Sequence, residues 1–313
     1  LSLDRIVAIK VLPRKLGDNA EFVERFYKEG RAAARLNHNN IVQAIDVGNA
    51  GEYHYFVMEY IEGKTVYDDL AAGKIYSEKD ALEIVIQVAR ALEHAAERGF
   101  IHRDVKPKNI MLTKQSVAKL ADMGLARETA DREAADAEAG RAYGTPYYIS
   151  PEQIRGEVNI DFRADIYSLG ATLYHMVTGK VPFEGSTPAA VMHKHLKEPL
   201  VPPDHIVPTL STGLGEVIEC MMAKNRDDRY ASMTDLLADL QRVARGEPPL
   251  QARRKYDAKL LESLADGHES EDQPESAAGQ EIITAGVPLV WVFILAALLS
   301  LSVIVNVIML AQR

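Results

Sequence analysis

The chain has 313 residues and a formal net charge of −9, from 36 basic and 45 acidic side chains. Its length accommodates one two-lobed domain with an appendage, or two ordinary domains. The acidic balance argues against nonspecific nucleic-acid binding, which depends on neutralising phosphates with Lys and Arg, so nucleic acid is not expected as a partner. The single cysteine, Cys220, excludes an intramolecular disulfide framework, and its apolar neighbours favour a packed core thiol over a nucleophile.

Strand-like patterns dominate the first sixty residues. β-branched and aromatic residues predict strands at 6–12 and 53–60, and Ile41 to Val47 is a third candidate. Asn19 to Leu36 has the spacing of an amphipathic helix. Asn49-Ala50-Gly51-Glu52 predicts a hairpin turn. Because the sequence opens directly in a strand, we expect it to be a fragment that is truncated at its N-terminus.

Helical patterns follow from about residue 77. Ser77-Glu78-Lys79-Asp80 is typical of a capping box, and Gly99 predicts the end of the helix that it starts. Asp131 to Gly140 is acidic and rich in alanine, with no apolar face to pack, which predicts a mobile loop. Later helices are predicted at 162–178, 187–197, 213–223 and 232–245.

The C-terminal part contains a polar stretch and an apolar one. Gly267 to Gln280 is acidic and has few large apolar groups, so it is not expected to fold alone. Val287 to Leu310 contains no charged residue. About 24 residues give a helix of roughly 36 Å, and a bilayer core of about 30 Å needs roughly 20. This segment therefore predicts a transmembrane helix, with Trp291 near one end.

The strongest chemical signal is an octet, His102-Arg103-Asp104-Val105-Lys106-Pro107-Lys108-Asn109. It resembles the catalytic loop H-R-D-x-K-P-x-N of a protein kinase. The lysine two residues after the aspartate is the serine/threonine variant of this motif. A motif match of this kind needs support from its neighbours before it indicates a reaction.

Several other segments support the octet and occur in the expected order. Each is weak alone, since a lone strand lysine is usually a solvated charge and an Asp-x-Gly is usually a turn. They are Val7-Ala8-Ile9-Lys10, Phe56 to Gly63, Asp122-Met123-Gly124, Gly144 to Glu152, Asp165 to Gly170, and Asn225 to Tyr230.

Residues 5 to about 245 thus resemble the bacterial Hanks-type (eukaryotic-like) serine/threonine protein kinases with a single transmembrane helix. The resemblance implies an α+β, two-lobed protein-kinase-like fold with a small β-rich N-lobe, incomplete here, and a larger helical C-lobe. We expect a partial N-lobe at 1–60, a C-lobe at 61–246, a largely disordered juxtamembrane linker at 247–286 and a transmembrane helix at 287–310.

The resemblance implies that ATP and Mg²⁺ (or Mn²⁺) are bound between the lobes. Lys10 would contact the α- and β-phosphates and pair with Glu29 of the following helix, although Glu29 alone would be an ordinary surface residue. Asn109 and Asp122 would be the metal ligands. The expected hinge residues around adenine are the gatekeeper Met58, Glu59 and Ile61.

The resemblance also implies the residues that act on the substrate. Asp104 would accept the proton of a hydroxyl, and Lys106 would neutralise charge on the transferred phosphoryl group. Thr145 would help to admit a Ser or Thr hydroxyl. The expected structural supports are His102, Arg103, Asp165, which braces the catalytic loop, and Glu152, which pairs with Arg229.

Two departures from the family pattern bear on activity. No Gly-rich loop precedes Lys10, so the chain as written is expected to bind ATP poorly. The activation loop, 125–143, has few hydroxyl residues, and we hypothesise that Asp136 or Glu138 replaces the phosphate that Arg103 would otherwise pair with. A merely solvated acidic loop is the alternative.

Orientation in the membrane follows from function, because basic residues are lacking just before residue 287 and the positive-inside rule gives little help. ATP and Mg²⁺ are cytoplasmic, so we expect a single-pass protein of the cell membrane with residues 1–286 in the cytoplasm. Arg253-Arg254-Lys255 is interpreted as part of a solvated linker, with contact to anionic lipid as the alternative.

The expected activity is transfer of the ATP γ-phosphoryl group to Ser or Thr of proteins. The expected partners are protein substrates, the lipid bilayer and a second copy of the kinase. A pseudokinase scaffold is the main alternative, and intact Lys10, Asp104, Asn109 and Asp122 weigh against it. A small-molecule kinase is a third possibility, which the substrate-loop segment at 144–152 weakens.

Overall fold

The N-terminal part of the molecule is a three-stranded antiparallel sheet in the order β1-β3-β2, with β1 at Val7–Val11, β2 at Ala44–Ala50 and β3 at Tyr53–Glu59. The structure is a computed structural model and describes residues 5–17, 19–122, 127–128 and 146–255. Two helices separate β1 from β2, namely α1 at Arg14–Gly17 and α2 at Ala20–Ala34.

Helix α2 packs closely against the sheet, and the close approach requires a glycine. A Cβ added at Gly30 would lie 3.2 Å from the Val47 side chain and 3.3 Å from the ring of Phe56. Such distances are tighter than ordinary van der Waals contact, so a larger residue would push the helix away from the sheet. Gly30 therefore fixes the distance between α2 and β2.

The predicted strand at Ile41 to Val47 is wrong in its first half, because β2 begins only at Ala44. Residues 40–42 instead bond to the second part of the molecule, and the carbonyl of Gln43 accepts the N–H of Glu59 in β3 at 2.9 Å. The Val42 N–H donates to the carbonyl of Leu120 at 2.9 Å, and the Asn40 side chain donates to the carbonyl of Ala118 at 2.8 Å. These bonds use polar groups of residues that the sequence pattern alone predicted to pair within the N-terminal sheet.

The second part of the molecule is mainly helical, and with the N-terminal sheet it confirms the predicted α+β class. Its short strands form two small sheets, β4 (Gly63–Thr65) with β6 (Ile110–Thr113) and β7 (Ala118–Leu120), and β5 (Phe100–Ile101) with β8 (Arg127–Glu128). Its helices in the described residues are α3 (Val66–Ala71), α4 (Glu78–Glu97), α5 (Pro151–Ile154), α6 (Arg163–Thr178), α7 (Pro188–Lys197), α8 (Pro203–Ile206), α9 (Thr212–Met221), α10 (Met233–Ala244) and α11 (251–255).

The long helices begin and end close to the predicted residues. The Ser77 hydroxyl accepts the Asp80 N–H at 3.1 Å at the start of α4, and Gly99 follows its end with φ +76°. The core lies around α6, which is buried along nearly its whole length. At Gly170 an added Cβ would lie 2.8 Å from Cβ of Met221, so α9 crosses α6 at a glycine.

A buried ion pair joins α5 to the loop before α10, as the sequence predicted. Arg229 donates to both carboxylate oxygens of Glu152, at 2.7 and 2.9 Å, and its side chain is 0% exposed. The guanidinium also donates to the carbonyls of Ala223 and Arg163, each at 2.8 Å. This bidentate geometry uses the planar guanidinium fully, which offsets the cost of burying both charges.

We predict that Glu152→Ala destabilises the fold by about 3–5 kcal/mol, because it leaves the Arg229 charge buried without its partner. Urea unfolding at neutral pH measures the change. The control is Glu83→Ala, which removes the exposed partner of Lys79 at 4.0 Å and is expected to cost less than about 1 kcal/mol. Equal losses in the two variants would contradict the assigned role of the buried pair.

Candidate active site

The octet at residues 102–109 forms the loop between β5 and β6, and a buried carboxylate of α6 holds its start. Asp165 accepts the N–H groups of His102 at 2.8 Å and Arg103 at 2.7 Å. Arg103 has φ +67°, a backbone conformation that costs energy for a residue other than glycine. Burial raises the pKa of Asp165, whereas both N–H bonds and the nearby charge of Arg103 favour its anion.

His102 connects the loop to the residue before Asp122. Its Nδ1 accepts the N–H of Asp104 at 3.2 Å, so its Nε2, which lies 3.2 Å from the carbonyl of Ala121, is the nitrogen that donates. These two bonds select the neutral tautomer with the proton on Nε2. The ring is fully buried and acts as the scaffold residue that the sequence predicted.

The carboxylate of Asp104 is held by two side chains of its own loop. The Lys106 ammonium lies 2.6 and 2.9 Å from its oxygens, and the Asn109 amide nitrogen donates to Oδ2 at 3.0 Å. The same amide nitrogen donates to the Asp104 carbonyl at 2.8 Å. Asp104 is thereby oriented and kept partly exposed, which suits a group that must meet a substrate hydroxyl.

Asp122 is placed beside the catalytic loop by the backbone. The N–H of Ala121 donates to the carbonyl of Asn109 at 2.8 Å, and Asp122 itself has φ +60°. Its carboxylate accepts from Lys10 of β1 at 2.5 Å. The sequence predicted Glu29 as the partner of Lys10; the backbone of Glu29 lies in α2, but its side chain is outside the described part, so that pair stays a prediction.

The oxygen atoms of Asp122 and Asn109 suit Mg²⁺ better than a metal ion whose ligands all come from the protein. Among the described residues, no cluster of three or more His, Cys, Asp or Glu side chains is placed to hold a metal. Mg²⁺ prefers hard oxygen donors and takes part of its shell from water and substrate phosphates, so one carboxylate and one amide oxygen suffice. Asp122 would supply the carboxylate and Asn109 its Oδ1, since the Asn109 amide nitrogen already contacts Asp104.

A cavity of about 360 Å³ lies between the N-terminal sheet, α2 and Asp122. Of the three predicted hinge residues, only Met58 lines it. Glu59 pairs with Lys119 at 3.0 Å, and Ile61 is buried. The residues lining the cavity are Ile9, Lys10, Phe26, Gly30, Ala33, Val42, Phe56, Met58, Ala121 and Asp122.

Sequence reasoning missed Gln153, which contacts the octet from α5. Its amide nitrogen donates to the carbonyl of Arg103 at 2.9 Å, and its amide oxygen accepts from the Ser150 hydroxyl at 3.0 Å. Ser150 and Gln153 form a capping box, a pattern visible as S-x-x-Q in the sequence. The residues predicted at Asp136, Glu138 and Thr145 lie outside the described part of the chain.

Two Tyr–His pairs that sequence reasoning missed join helix α6 to the segment around Tyr148 and to helix α7. The Tyr148 hydroxyl lies 2.7 Å from Nδ1 of His175, and the Tyr167 hydroxyl lies 2.7 Å from Nδ1 of His195 on α7. Burial, and then the charge of Lys224, lowers the pKa of His195 to about 3. His195 is therefore neutral throughout the physiological range.

The fold and the catalytic loop together are those of a protein kinase domain. The family described as protein kinase domain matches residues 2–240, and the chain belongs to this family. It is 37% identical to the serine/threonine-protein kinase PknB of Mycolicibacterium smegmatis, over 98% of this chain and 51% of that protein. It is 40% identical to PknB of Mycobacterium tuberculosis, over 85% of this chain and 43% of that protein.

The fold is also similar to solved kinase structures. The kinase domain of Mycobacterium tuberculosis PknI superposes with a TM-score of 0.58 at 29% identity, covering 75% of this chain and 84% of that one. The kinase-like fold predicted from the sequence is thereby confirmed. The chain spans about half or less of the length of the curated relatives given above.

We predict that His195 makes the fold lose stability on acidification between about pH 6.5 and 3. Its pKa is lower when folded, so below 6.5 the unfolded chain binds the extra proton and unfolding becomes more favourable. One titrating group contributes at most about 1.4 kcal/mol per pH unit, or roughly 2 kcal/mol between pH 6.5 and 5.

The measurement is urea unfolding of the parent and His195→Gln at pH 7 and pH 5. His195→Gln is expected to lose less stability between the two pH values than the parent does. The control is His193→Gln, which changes an exposed histidine of the same helix and should behave as the parent. The same loss in all three proteins would contradict the prediction.

Proposed function

We propose that this chain is a membrane-anchored serine/threonine protein kinase that transfers the ATP γ-phosphoryl group to Ser or Thr of proteins. The observation that carries the proposal is the arrangement of Asp104, Lys106 and Asn109, together with Lys10 and Asp122 at the edge of the cavity. The relatives that bear the name serine/threonine-protein kinase support the acceptor class. A catalytically silent scaffold would not need this set of charges.

Each residue of the set has a distinct task in such a transfer. Asp104 would align the acceptor hydroxyl and take its proton, while Lys106, in contact with the same carboxylate, would neutralise charge on the transferred group. Lys10 would hold the α- and β-phosphates, and Asp122 and Asn109 would hold the metal. Mg²⁺ or Mn²⁺, when bound, would supply the positive charge that draws the phosphates together.

The contact between Lys10 and Asp122 bears on this proposal. Both side chains are nearly half exposed, at 46% and 45%. An ion pair of this exposure is weak, so a nucleotide with its metal would separate the two groups at little cost. Lys10 would then pair with the phosphates, and Asp122 would bind the metal.

We predict that Asp104→Asn lowers phosphoryl transfer by about 10²- to 10⁴-fold, because the amide cannot accept the proton. Incorporation of labelled γ-phosphate into a protein rich in Ser and Thr measures this, with ATP supplied at saturating concentration because the chain is expected to bind ATP poorly. The control is Asp68→Asn, which removes a carboxylate of α3 that caps its own helix. Parent incorporation no greater than that of Asp104→Asn would favour the pseudokinase scaffold.

The membrane anchor is part of the same proposal. Within the described residues, no helix is long and apolar enough to cross a bilayer. The predicted transmembrane helix at 287–310 and most of the linker at 247–286 lie outside those residues. The uncharged sequence of 287–310 supports a single crossing of the cell membrane. The kinase part would lie in the cytoplasm, because ATP is found there.

We also propose that the chain forms a kinase homodimer, which sedimentation of the chain tests.

We predict that Trp291 reports insertion into lipid, since it is the only tryptophan of the chain. Its emission should shift to the blue in vesicles and be quenched by acyl chains brominated near the headgroup, where an amphipathic ring rests. The control carries Leu298→Lys and Leu299→Lys, which cost roughly 2.5–3.5 kcal/mol each at a helix centre. Identical spectra with and without vesicles would count against the anchor.

A further inference from the structure

Residues 248–255, here called the docked segment, lie beyond the part of the chain that matches the kinase family, which ends at residue 240. The sequence predicted a solvated linker at this place. The structure instead packs the segment against the C-lobe. Ala252 is only 3% exposed, Arg253 pairs with Glu216 of α9 at 2.6 Å, and the carbonyl of Pro248 accepts from Arg242 of α10 at 2.9 Å.

One fully buried carboxylate anchors the docked segment. Asp239 of α10 accepts the N–H groups of Leu250 at 2.7 Å, Gln251 at 3.0 Å and Ala252 at 2.9 Å. Tyr230 donates its hydroxyl to the same carboxylate at 3.1 Å, and burial raises the pKa of this phenol so that it keeps its proton. These donors replace water around the anion and fix the start of α11 at this point.

The end of the docked segment contacts the loop that carries Arg229. The Lys255 ammonium donates to the carbonyl of Asp227 at 2.8 Å and to the carbonyl of Arg229. The 3₁₀ turn at Arg226–Asp228 has no backbone donor of its own for its last carbonyls, as is usual at the end of a short helix. A lysine at that end satisfies them and interacts favourably with the dipole of the turn.

Arg229 is therefore held from two sides. Its carbonyl accepts from Lys255, and its guanidinium holds both carboxylate oxygens of Glu152, which lies in α5. The neighbour of Glu152 in the same helix is Gln153, whose amide holds the carbonyl of Arg103 in the catalytic loop. A continuous set of contacts thus leads from the docked segment to the active site.

We propose that the docked segment positions Arg229, and through it α5 and the adjoining residues 146–150, with Lys255 as the positioning residue. Lys255 contacts no reacting group and acts only through Arg229. Whatever displaces the chain just after residue 255, such as tension on it or a bound partner, would loosen α5. The exit of the chain from the kinase domain is then a point of control over substrate binding.

Hydrogen exchange of the 313-residue chain tests this without any measurement of activity. Lys255→Met keeps the length of the side chain and removes its charge. Amides of 225–230 and of 153–157 should exchange about tenfold faster, the effect of losing one charge-assisted hydrogen bond from a locally opening unit. Lys255→Arg should restore protection, and Arg254→Met, which changes the adjacent exposed cation, should exchange as the parent does.

Faster exchange confined to 225–230 would overturn the proposal, because the effect would then stop at the loop. Unchanged exchange in both segments would overturn it as well. A second readout rests on the proposed kinase function: Lys255→Met should raise KM for a protein substrate several-fold and leave KM for ATP unchanged. A parent chain without transfer activity would refute that function, while the exchange result would still decide the role of Lys255.

Discussion

The whole site depends on one buried carboxylate, Asp165, that ties two backbone N–H groups to the middle of the core. Those bonds hold Arg103 in a left-handed conformation, which no local preference would produce. The turn at Arg103 then sets the direction in which Asp104, Lys106 and Asn109 leave the backbone. Without Asp165, the motif would still be present in the sequence, but its side chains would have no common orientation.

The ion pair that supports the site is buried, whereas the ion pair within the site is exposed to solvent. The Glu152–Arg229 pair is dry and bidentate, whereas Lys10 and Asp122 are nearly half exposed. A buried pair resists change because separating its charges leaves them without water, and an exposed pair separates easily. The molecule thus has a fixed frame around a set of charges that can exchange partners when a nucleotide arrives.

The helices of this arrangement could be predicted because apolar spacing and caps are local signals, and they located the long helices within one or two residues. The catalytic loop and the Glu152–Arg229 pair, whose members lie 77 residues apart, were predicted from the resemblance to the kinase family. The missed features all depend on distant partners. Residues 40–42 bond to β7, His195 pairs with Tyr167, and Asp239 holds the start of α11. A polar residue in a helix gives no sign of which backbone it will meet after folding.

Four residues of helix α6 each contact a different part of the molecule, namely the catalytic loop, α7, α9 and the segment around Tyr148. These residues are Asp165, Tyr167, Gly170 and His175. A residue inserted within the helix would turn everything beyond it by about 100° and advance it by about 1.5 Å. The later contacts would then face the wrong neighbours, however conservative the inserted residue. Insertions and deletions are thus excluded from α6, and any change in the length of this lobe must fall in the loops that connect its helices.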